Sequence, residues 1–318
     1  MGRMCERLAD FEATGNVEVK KFTLAPTNDG DVTIVGAVFR NTTSKSVSFV
    51  FEILSKVGDD LTSWKELASF RPPITIQQQV IARGKSWMVQ PIEDGWGNIN
   101  FDYYPVYVTQ LPAPSGSPMT ARALLAYIRM NINSFVDNDY TTFDSYKPSD
   151  DAKWHSDELL GAVMYLEIFL PGTPLSDSAV VVASHVAANQ WRFSTVQGGP
   201  PGLSAVRDRD NVAAHPVSGN REFGFIDNGS GMYTFYTKGA ERANRFFDLV
   251  VSPLGFRAAH VLWQSLQTKI CKFVNENGGC ASINRSRIVS KRWSWETVKQ
   301  NKDIYDISSQ LGWMRIPN

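Results

Sequence analysis

The first 110 residues alternate short runs of β-forming residues with clusters of turn-forming residues. The runs are VEVKKFTLAP, DVTIVGAVFRN, SVSFVFEILSKV, RPPITIQQQVIARG and KSWMVQPI, and the clusters between them include NDGD, NTTSK, GDD and RGK. Short strands separated by turns at regular intervals are typical of an antiparallel sandwich rather than of βαβ units. The pattern therefore predicts an all-β, Ig-like sandwich domain over residues 1–112.

The segment LPAPSGSP concentrates proline, glycine and serine directly after the strand-like run NINFDYYPVYVTQ. Such a composition is typical of a linker between domains. We place a linker at residues 113–119, and we predict a second domain over residues 120–318.

Two amphipathic helices are predicted in this second domain. Thr120 is a suitable N-cap for the first, whose apolar residues recur at helical spacing as Leu125, Ile128, Ile132 and Phe135. The pair Ser252-Pro253 is a typical helix start, and the sequence Asn277-Gly278-Gly279 is a typical helix end. The apolar stripe of this second helix consists of Leu262, Leu266, Ile270 and Phe273.

Four further runs in the second half are strand-like, namely LLGAVMYLEIFLPG, SAVVVASHV, NQWRFSTV and YTFYTKG. Two polar or Gly/Pro-rich stretches, DNDYTTFDSYKPSDDAKWHSD and GGPPGLSAVRDRDNVAA, are predicted to be long loops. The basic and aromatic segment RIVSKRWSWETVKQNKD is predicted to end in a helix. We therefore predict an α+β domain in which amphipathic helices pack on an antiparallel sheet of four or more strands.

Composition and charge narrow the class of protein. Apolar residues make up 43 % and charged residues 20 %, values of an ordinary globular chain. Lysine plus arginine equals aspartate plus glutamate, at 32 each, so a broad nucleic-acid-binding surface is not expected. No window of 18 apolar residues predicts a transmembrane helix. The start MGRMCERLADFEATG lacks the apolar run of a signal peptide.

Cysteine usage bears on the compartment. An odd count of three, Cys5, Cys271 and Cys280, is typical of a reducing environment. We expect a cytoplasmic protein, or one exported without a classical signal peptide. In the second case Cys271 and Cys280 could pair.

Several well-known motifs are absent from the sequence. There is no GxGxxG before a helix, no GxxxxGK[ST], no GxSxG, no HExxH and no CxxC. This disfavours dinucleotide enzymes, P-loop NTPases, α/β-hydrolases, zincins and zinc ribbons. With four histidines and three scattered cysteines, we predict no metal site and no cofactor.

The stretch HPVSGNREFGF, residues 215–225, is the densest group of polar and charged residues that could form a site. We predict ligand-binding roles for Ser218, Asn220, Glu222 and Arg242. A structural interpretation stays open beside this one. Serine and asparagine side chains hydrogen-bond nearby backbone in turns. Once a strand has begun, Arg221 and Glu222 lie on opposite faces, while Phe223 and Phe225 share one face.

Two histidines lie where strands are predicted to end or begin, His185 and His215. A histidine pair beside a cation can run acid/base cleavage of a phosphodiester, in which one histidine takes a proton and the other gives one. Arg221 or Lys238 would stabilise the developing negative charge. The predicted catalytic residues of such a metal-independent hydrolase are His185, His215, Arg221 and Lys238.

Three functional hypotheses follow from these residues. The first is an interaction or effector-type protein that docks a protein partner and carries a ligand cleft in its α+β domain. The second is the nuclease-like hydrolase. The third is a protein whose exposed aromatic residues bind a membrane or a carbohydrate surface. The first is the preferred interpretation, and the second and third are the alternatives to it.

Overall fold

The computed structural model describes residues 17–23, 32–41, 52–55, 64–169, 176–198, 212, 214–244, 246–303 and 305. The chain divides into two compact units, residues 1–61 and residues 62–318. In the first unit the described residues form one antiparallel sheet in the order β1-β2-β3. Its strands are β1 (Val17–Thr23), β2 (Val32–Asn41) and β3 (Glu52–Ser55). An Ig-like sandwich over residues 1–112 is not confirmed.

The predicted linker at 113–119 lies inside the second unit rather than between the units. The strand before it, β5 (Trp96–Gln110), pairs with β11 (Tyr233–Ala243) along almost its whole length. This pairing joins residues more than 120 positions apart, and local composition carries no sign of it. The Pro/Gly-rich segment is therefore a surface connection from a strand to a helix of the same unit.

The second unit is built on a ten-stranded antiparallel sheet of described residues, in the order β12-β5-β11-β10-β9-β8-β7-β6, with β13 paired to β5 and β4 paired to β9. Its remaining strands are β4 (Met88–Val89), β6 (Thr141–Ser145), β7 (Val163–Phe169), β8 (Ser176–Ala187), β9 (Gln190–Gln197), β10 (Val217–Asp227), β12 (Cys280–Ser282) and β13 (Val289–Trp293). An α+β architecture with an antiparallel sheet is therefore confirmed for the C-terminal part.

The helices of this unit are α1 (Lys65–Ala68), α2 (Ile74–Ile81), α3 (Ala121–Met130), α4 (Ile132–Phe135), α5 (Pro148–Trp154), α6 (Phe246–Glu276) and α7 (Trp295–Gln300). The predicted N-cap of α3 is confirmed, because Thr120 accepts a hydrogen bond from the amide of Ala123 at 3.1 Å. Gly278 follows α6 with a φ of 76°, a conformation that glycine adopts without strain. The start of α6 was predicted at Ser252-Pro253, but the helix begins at Phe246.

Two local predictions are wrong. The run RPPITIQQQVIARG, predicted as a strand, contains helix α2, which starts directly after Pro73. Its three consecutive glutamines are good helix formers and outweigh the alternation of Ile74 and Ile76. The polar stretch after α4, predicted as a loop, contains strand β6 and helix α5, because Pro148 at the first helical turn starts a helix.

The sheet is covered on both faces. We call the face that packs against α3, α4 and α6 the helix face. Its core includes the predicted apolar stripes of α3, α4 and α6 and a group of aromatic residues, Trp154, Trp191, Phe193, Phe223 and Trp263. The opposite face packs against α2 through residues such as Ile76, Val80, Val163, Val180 and Val196. Because β8 and β9 are apolar on both faces, they occupy the interior of the sheet.

Candidate functional site

Charged side chains are buried on the helix face in the middle of this sheet. Arg221 on β10 donates from Nη2 to Oδ2 of Asp102 on β5 at 2.8 Å, and from Nε to Oε1 of Glu241 on β11 at 3.1 Å. A third, longer contact of 3.4 Å joins Nη1 to the hydroxyl of Thr237. The side chains of Arg221, Asp102 and Glu241 are only 7 %, 3 % and 12 % exposed.

The register of the strands explains how this group forms. Arg221 lies opposite Gly239 on β11, and Gly239 lies opposite Asp102 on β5. A Cβ atom on Gly239 would lie 2.3 Å from Nη2 of Arg221 and 2.8 Å from Oδ1 of Asp102. The missing side chain therefore lets an arginine and an aspartate meet across the strand between them.

Helix α6 covers this group with an aromatic ring and a histidine. The guanidinium carbon of Arg221 lies 4.3 Å from the ring centre of Trp263, a cation–π contact. Nearby, the hydroxyl of Tyr104 on β5 is 2.9 Å from Nδ1 of His260. We call the set composed of Asn100, Asp102, Tyr104, Arg221, Thr237, Glu241, His260 and Trp263 the polar cluster.

Burial and neighbouring charges shift the pKa values of three groups in the polar cluster. Burial alone would lower the pKa of Arg221, but the charges of Asp102 and Glu241 raise it, so the guanidinium stays charged. Burial raises the pKa of the Glu241 carboxyl, Arg221 opposes the rise, and the charge of Asp102 adds to it. Burial also raises the pKa of Tyr104, with a further contribution from Asp102. The cluster therefore holds one guanidinium that stays charged and one carboxyl whose pKa is raised.

One polar atom of the cluster lacks a partner. Oδ2 of Asp102 accepts hydrogen bonds from Arg221 and from Nδ2 of Asn100, at 2.8 and 3.1 Å. Oδ1 of the same carboxylate is buried and has no hydrogen-bond partner. Buried carboxylate oxygens are normally satisfied, so this atom needs an explanation.

The opposite face of the same strands carries a second set of charges. Glu222, which is 2 % exposed, accepts from Nε of Arg192 at 2.5 Å and from the hydroxyl of Tyr236 at 2.7 Å, and it lies 3.6 Å from Nζ of Lys238. Nη2 of Arg192 also donates to Glu66 at 2.5 Å. The prediction that Arg221 and Glu222 lie on opposite faces is thus confirmed. Glu222 and Lys238 are partners in an ion pair on the face away from the polar cluster.

His185 lies beside this second set of charges. It is opposite Arg192 in the β8–β9 register and makes an edge contact with Phe70, with 6.0 Å between ring centres. Burial lowers the pKa of His185, and the charge of Arg192 lowers it further against the opposing effects of Glu222 and Glu66. The imidazole is therefore neutral at pH 7.

His215 lies elsewhere. Its amide donates to Oε1 of Gln90 at 2.8 Å and to the carbonyl of Val196 at 3.4 Å. Val196 is four residues along β9 from Arg192, which His185 faces, so the two histidines are separated by about 13 Å along that strand. They also lie at opposite edges of β9. The structure does not bring His185 and His215 to one reacting atom, so this pair lacks the geometry of an acid/base hydrolase.

The other predicted ligand-binding residues form hydrogen bonds within the protein. Ser218 is fully buried and donates to Oδ1 of Asn244 at 3.0 Å. Asn220 donates to the carbonyl of Leu67 at 3.1 Å. Arg242 donates to backbone carbonyls of the segment 92–97 and lies 4.4 Å from the ring of Trp295. Burial lowers the pKa of Arg242 to about 10.

Sequence reasoning singled out Arg221 but missed the partners that make it a site. Asp102, Tyr104 and Trp263 are far from residues 215–225 in sequence, and no motif joins them. One signal was available: an aspartate stands inside the apolar run NINFDYYPVYV. A carboxylate in a strand that is otherwise buried requires a charged or hydrogen-bonding partner.

Two classes of feature are absent from the part of the chain that the structure describes. Its residues contain no group of three or more His, Cys, Asp or Glu side chains that could hold a metal ion. None of its helices is long and apolar enough to cross a membrane.

Comparison with known proteins gives the following result. No family model and no curated protein matches the sequence. Among solved structures, the chain is similar to Ara h 8.0201, with a TM-score of 0.30 at 6 % identity over 54 % of this chain and 99 % of that chain. It is also similar to the di-domain ARO/CYC StfQ from the steffimycin biosynthetic pathway (TM-score 0.34, 10 % identity, 80 % and 74 % covered) and to human STARD10 (0.33, 12 %, 60 % and 70 %). At TM-scores this low the likeness assigns neither a family nor a function.

Proposed function

We propose that this chain is a ligand-binding protein, and that the polar cluster between the sheet and α6 holds a neutral molecule through a hydrogen-bond donor. The observation that carries the proposal is Oδ1 of Asp102, a buried carboxylate oxygen without a partner. A hydroxyl or amide N–H of a ligand would satisfy it. A hydrogen bond to a charged acceptor is stronger than one between neutral groups.

The cost of burying these charges supports the same proposal. Buried ion pairs contribute little to stability, because desolvation offsets the attraction between the charges. A well-packed apolar group would fill the space between β5, β10 and β11 at no loss of stability. Buried ionisable groups with shifted pKa values cluster at functional sites. Three such groups, Tyr104, Arg221 and Glu241, lie close together here, and Arg221 packs against the ring of Trp263.

The charge balance of the cluster disfavours an anionic ligand. Arg221 carries one positive charge and Asp102 one negative charge, while the pKa of Glu241 is raised. With one guanidinium beside two carboxyl groups, the cluster has no surplus of positive charge, so it would not offset the desolvation of an anionic ligand. Trp263, Phe223 and Tyr104 supply apolar and aromatic surface beside the polar atoms. We therefore propose a largely apolar ligand that carries at least one donor group.

The test uses phenol and anisole, two probes that differ in a single donor. Phenol donates from its hydroxyl, whereas the methylated oxygen of anisole can only accept. We expect the wild-type chain to bind phenol saturably and about 10-fold or more tightly than anisole, as ligand-observed NMR titrations would show, since a hydrogen bond to a charged group contributes about 1.5–3 kcal/mol. Equal binding of the two probes, or no saturable binding of phenol, would contradict the proposal.

The variant Asp102→Asn makes the test specific to the site. Arg221 and Asn100 need an acceptor at the position of Oδ2, so the amide nitrogen of the new asparagine takes the position of Oδ1. The site then offers a donor instead of an acceptor, and the preference for phenol over anisole should disappear or reverse. Asp139→Asn, the same change on an exposed loop, is the matched control and should retain the preference.

The docking of a protein partner, expected from the sequence, stays a prediction.

A further inference from the structure

A group of unused hydrogen-bond donors lies where α3 meets the turn between β8 and β9. A pocket of about 70 Å³ opens there, lined by side chains that include Arg122, Leu125, Arg129, Asp157, Val186 and Trp191. A cavity of this size has room for a group of a few heavy atoms rather than for a whole drug-sized molecule. Val186 and Arg122 are exposed, so the pocket is open to solvent on that side.

Trp191 lines this pocket and carries a buried donor. The residue is only 3 % exposed, and its indole Nε1 is buried without a hydrogen-bond partner. The ring is held in place by Phe223, which stacks on it at 4.8 Å between ring centres, and by an edge contact with Trp154 at 6.4 Å. An indole N–H can only donate, so the group that satisfies it must be an acceptor.

Arg129 provides a buried cation beside it. The residue is 6 % exposed, and Nη1 and Nη2 both donate to one acceptor, the carbonyl of Ser156, at 3.0 Å. A guanidinium has five N–H groups, so most of its donors are not used by this carbonyl. Its guanidinium carbon lies 5.8 Å from the ring of Trp154. Burial lowers the pKa of Arg129, opposed only by Asp157.

The acid in the pocket does not neutralise these donors. Asp157 is 91 % exposed and lies 3.9 Å from Arg122, which is itself 66 % exposed. An ion pair between two exposed side chains is weak, since water screens it. The buried end of the pocket therefore combines a positive charge with an unused N–H donor and has no buried anion.

We infer that this pocket binds a carboxylate, either a small carboxylic acid or the carboxylate end of a larger ligand. A carboxylate offers two acceptor oxygens in one plane, which match the planar fork of Arg129, and one of them can also accept from Trp191. Leu125 and Val186 supply apolar contacts for the first carbons beyond the carboxylate. The polar cluster has an unpartnered acceptor and this pocket has an unpartnered donor, so the two sites favour opposite groups on a ligand.

The indole proton of Trp191 provides a direct measurement. In the full-length chain, its Nε1–H signal can be assigned in a proton–nitrogen NMR spectrum by its loss in the variant Trp191→Phe. Sodium acetate is then titrated while sodium chloride keeps the ionic strength constant. We expect a saturable downfield shift of the Trp191 signal, with the other indole signals unchanged. A shift that chloride reproduces equally, or no shift of this signal, would overturn the inference.

Two variants distinguish the contribution of the buried arginine to acetate binding from that of the exposed arginine. Arg129→Gln should weaken acetate binding about 10-fold or more, because it removes the buried charge and its fork. Arg122→Gln should weaken it by no more than about 3-fold, because water screens the exposed charge. Equal, wild-type-like affinity in both variants would also overturn the inference.

Arg129 also holds the backbone at Ser156, so its loss could disturb the fold. Arg129→Lys keeps the charge and should retain part of the acetate affinity, which a purely structural role would not predict. Unchanged indole signals outside the pocket, in both Arg129 variants, would show that the fold is intact. Asp102→Asn should leave acetate binding unchanged, so failure of this site and failure of the polar cluster are distinguishable. Inorganic phosphate is the second probe, and we expect it to bind more weakly than acetate.

Discussion

Arg221 is buried between two carboxylates, and its replacement by methionine tests how the polar cluster is held together. Methionine keeps the unbranched apolar stem of the side chain but removes the guanidinium, and with it the charge, the donors and the contact with Trp263. Asp102 and Glu241 then stay buried without their cation. Breaking a buried ion pair by removing one partner destabilises proteins by about 3–5 kcal/mol.

The contacts of the structure give a similar magnitude. Two charge-assisted hydrogen bonds are lost, at 2.8 Å to Asp102 and 3.1 Å to Glu241, and each contributes about 1.5–3 kcal/mol. Proton uptake by Glu241 relieves part of the loss. A net cost of about 3–4 kcal/mol remains, which lowers the melting temperature of a unit of this size by about 10 °C.

The assay is thermal unfolding at pH 7 followed by near-ultraviolet circular dichroism, because Trp263 reports on the packing around the cluster. Arg285→Met, the same change at an exposed position, should melt within about 2 °C of the wild type. If Arg221→Met also melts within about 2 °C, the three side chains do not form a coupled group, and the reasoning fails. Combining Arg221→Met with Asp102→Asn should cost less than the sum of the two single changes, since the partners share one interaction.

Three further predictions concern the same unit. Because the folded-state pKa of Glu241 is raised, the wild type should lose stability as pH rises from about 4.3 through that pKa. Glu241→Gln should remove this loss. The melting temperatures of both proteins are measured between pH 4 and about 8, and a difference between them that stays constant over this range would contradict the prediction. Gly239→Ala places a methyl group 2.3 Å from Nη2 of Arg221, so urea unfolding should show a loss of about 1–3 kcal/mol; an unchanged midpoint would contradict the assigned contact. A fragment of residues 62–318 should give a dispersed NMR spectrum, whereas residues 119–318, which lack β5, should not; dispersed spectra from both would restore the boundary predicted at 113–119.

Strand β10 shows what the sequence does predict. Alternation alone placed Arg221 and Glu222 on opposite faces and Phe223 with Phe225 on one face, and both Phe residues belong to the helix-face core. Helix α3 and the end of α6 can also be predicted from the sequence, since helix caps and apolar spacing are local signals. Each of these features depends on residues that are close together in the sequence, within one or two helical turns or within a single strand.

The features that could not be predicted depend on distant pairings. Gly239 brings Arg221 to Asp102 across a third strand, and 119 positions separate these two residues in the sequence. β5, which the local pattern assigned to an N-terminal domain, pairs with β11 in the second unit, and a strand sequence does not encode which sheet the strand joins. The distance between the two histidines depends on strand pairing as well. His185 and His215 both lie near strand ends, but only the register of β9 determines how far apart they are.

Both proposed sites lie on the helix face, and aromatic packing separates them. Trp191 stacks on Phe223, Phe223 contacts Trp263 with 5.7 Å between ring centres, and Trp263 covers Arg221. Rings in contact along this path leave no room for one ligand to run from the carboxylate pocket to the polar cluster. The same rings hold Trp191 and Arg221 in fixed positions, and fixed donors and acceptors bind a ligand at a smaller entropic cost. The aromatic core of this unit therefore keeps the two sites separate and holds the polar groups of each in place.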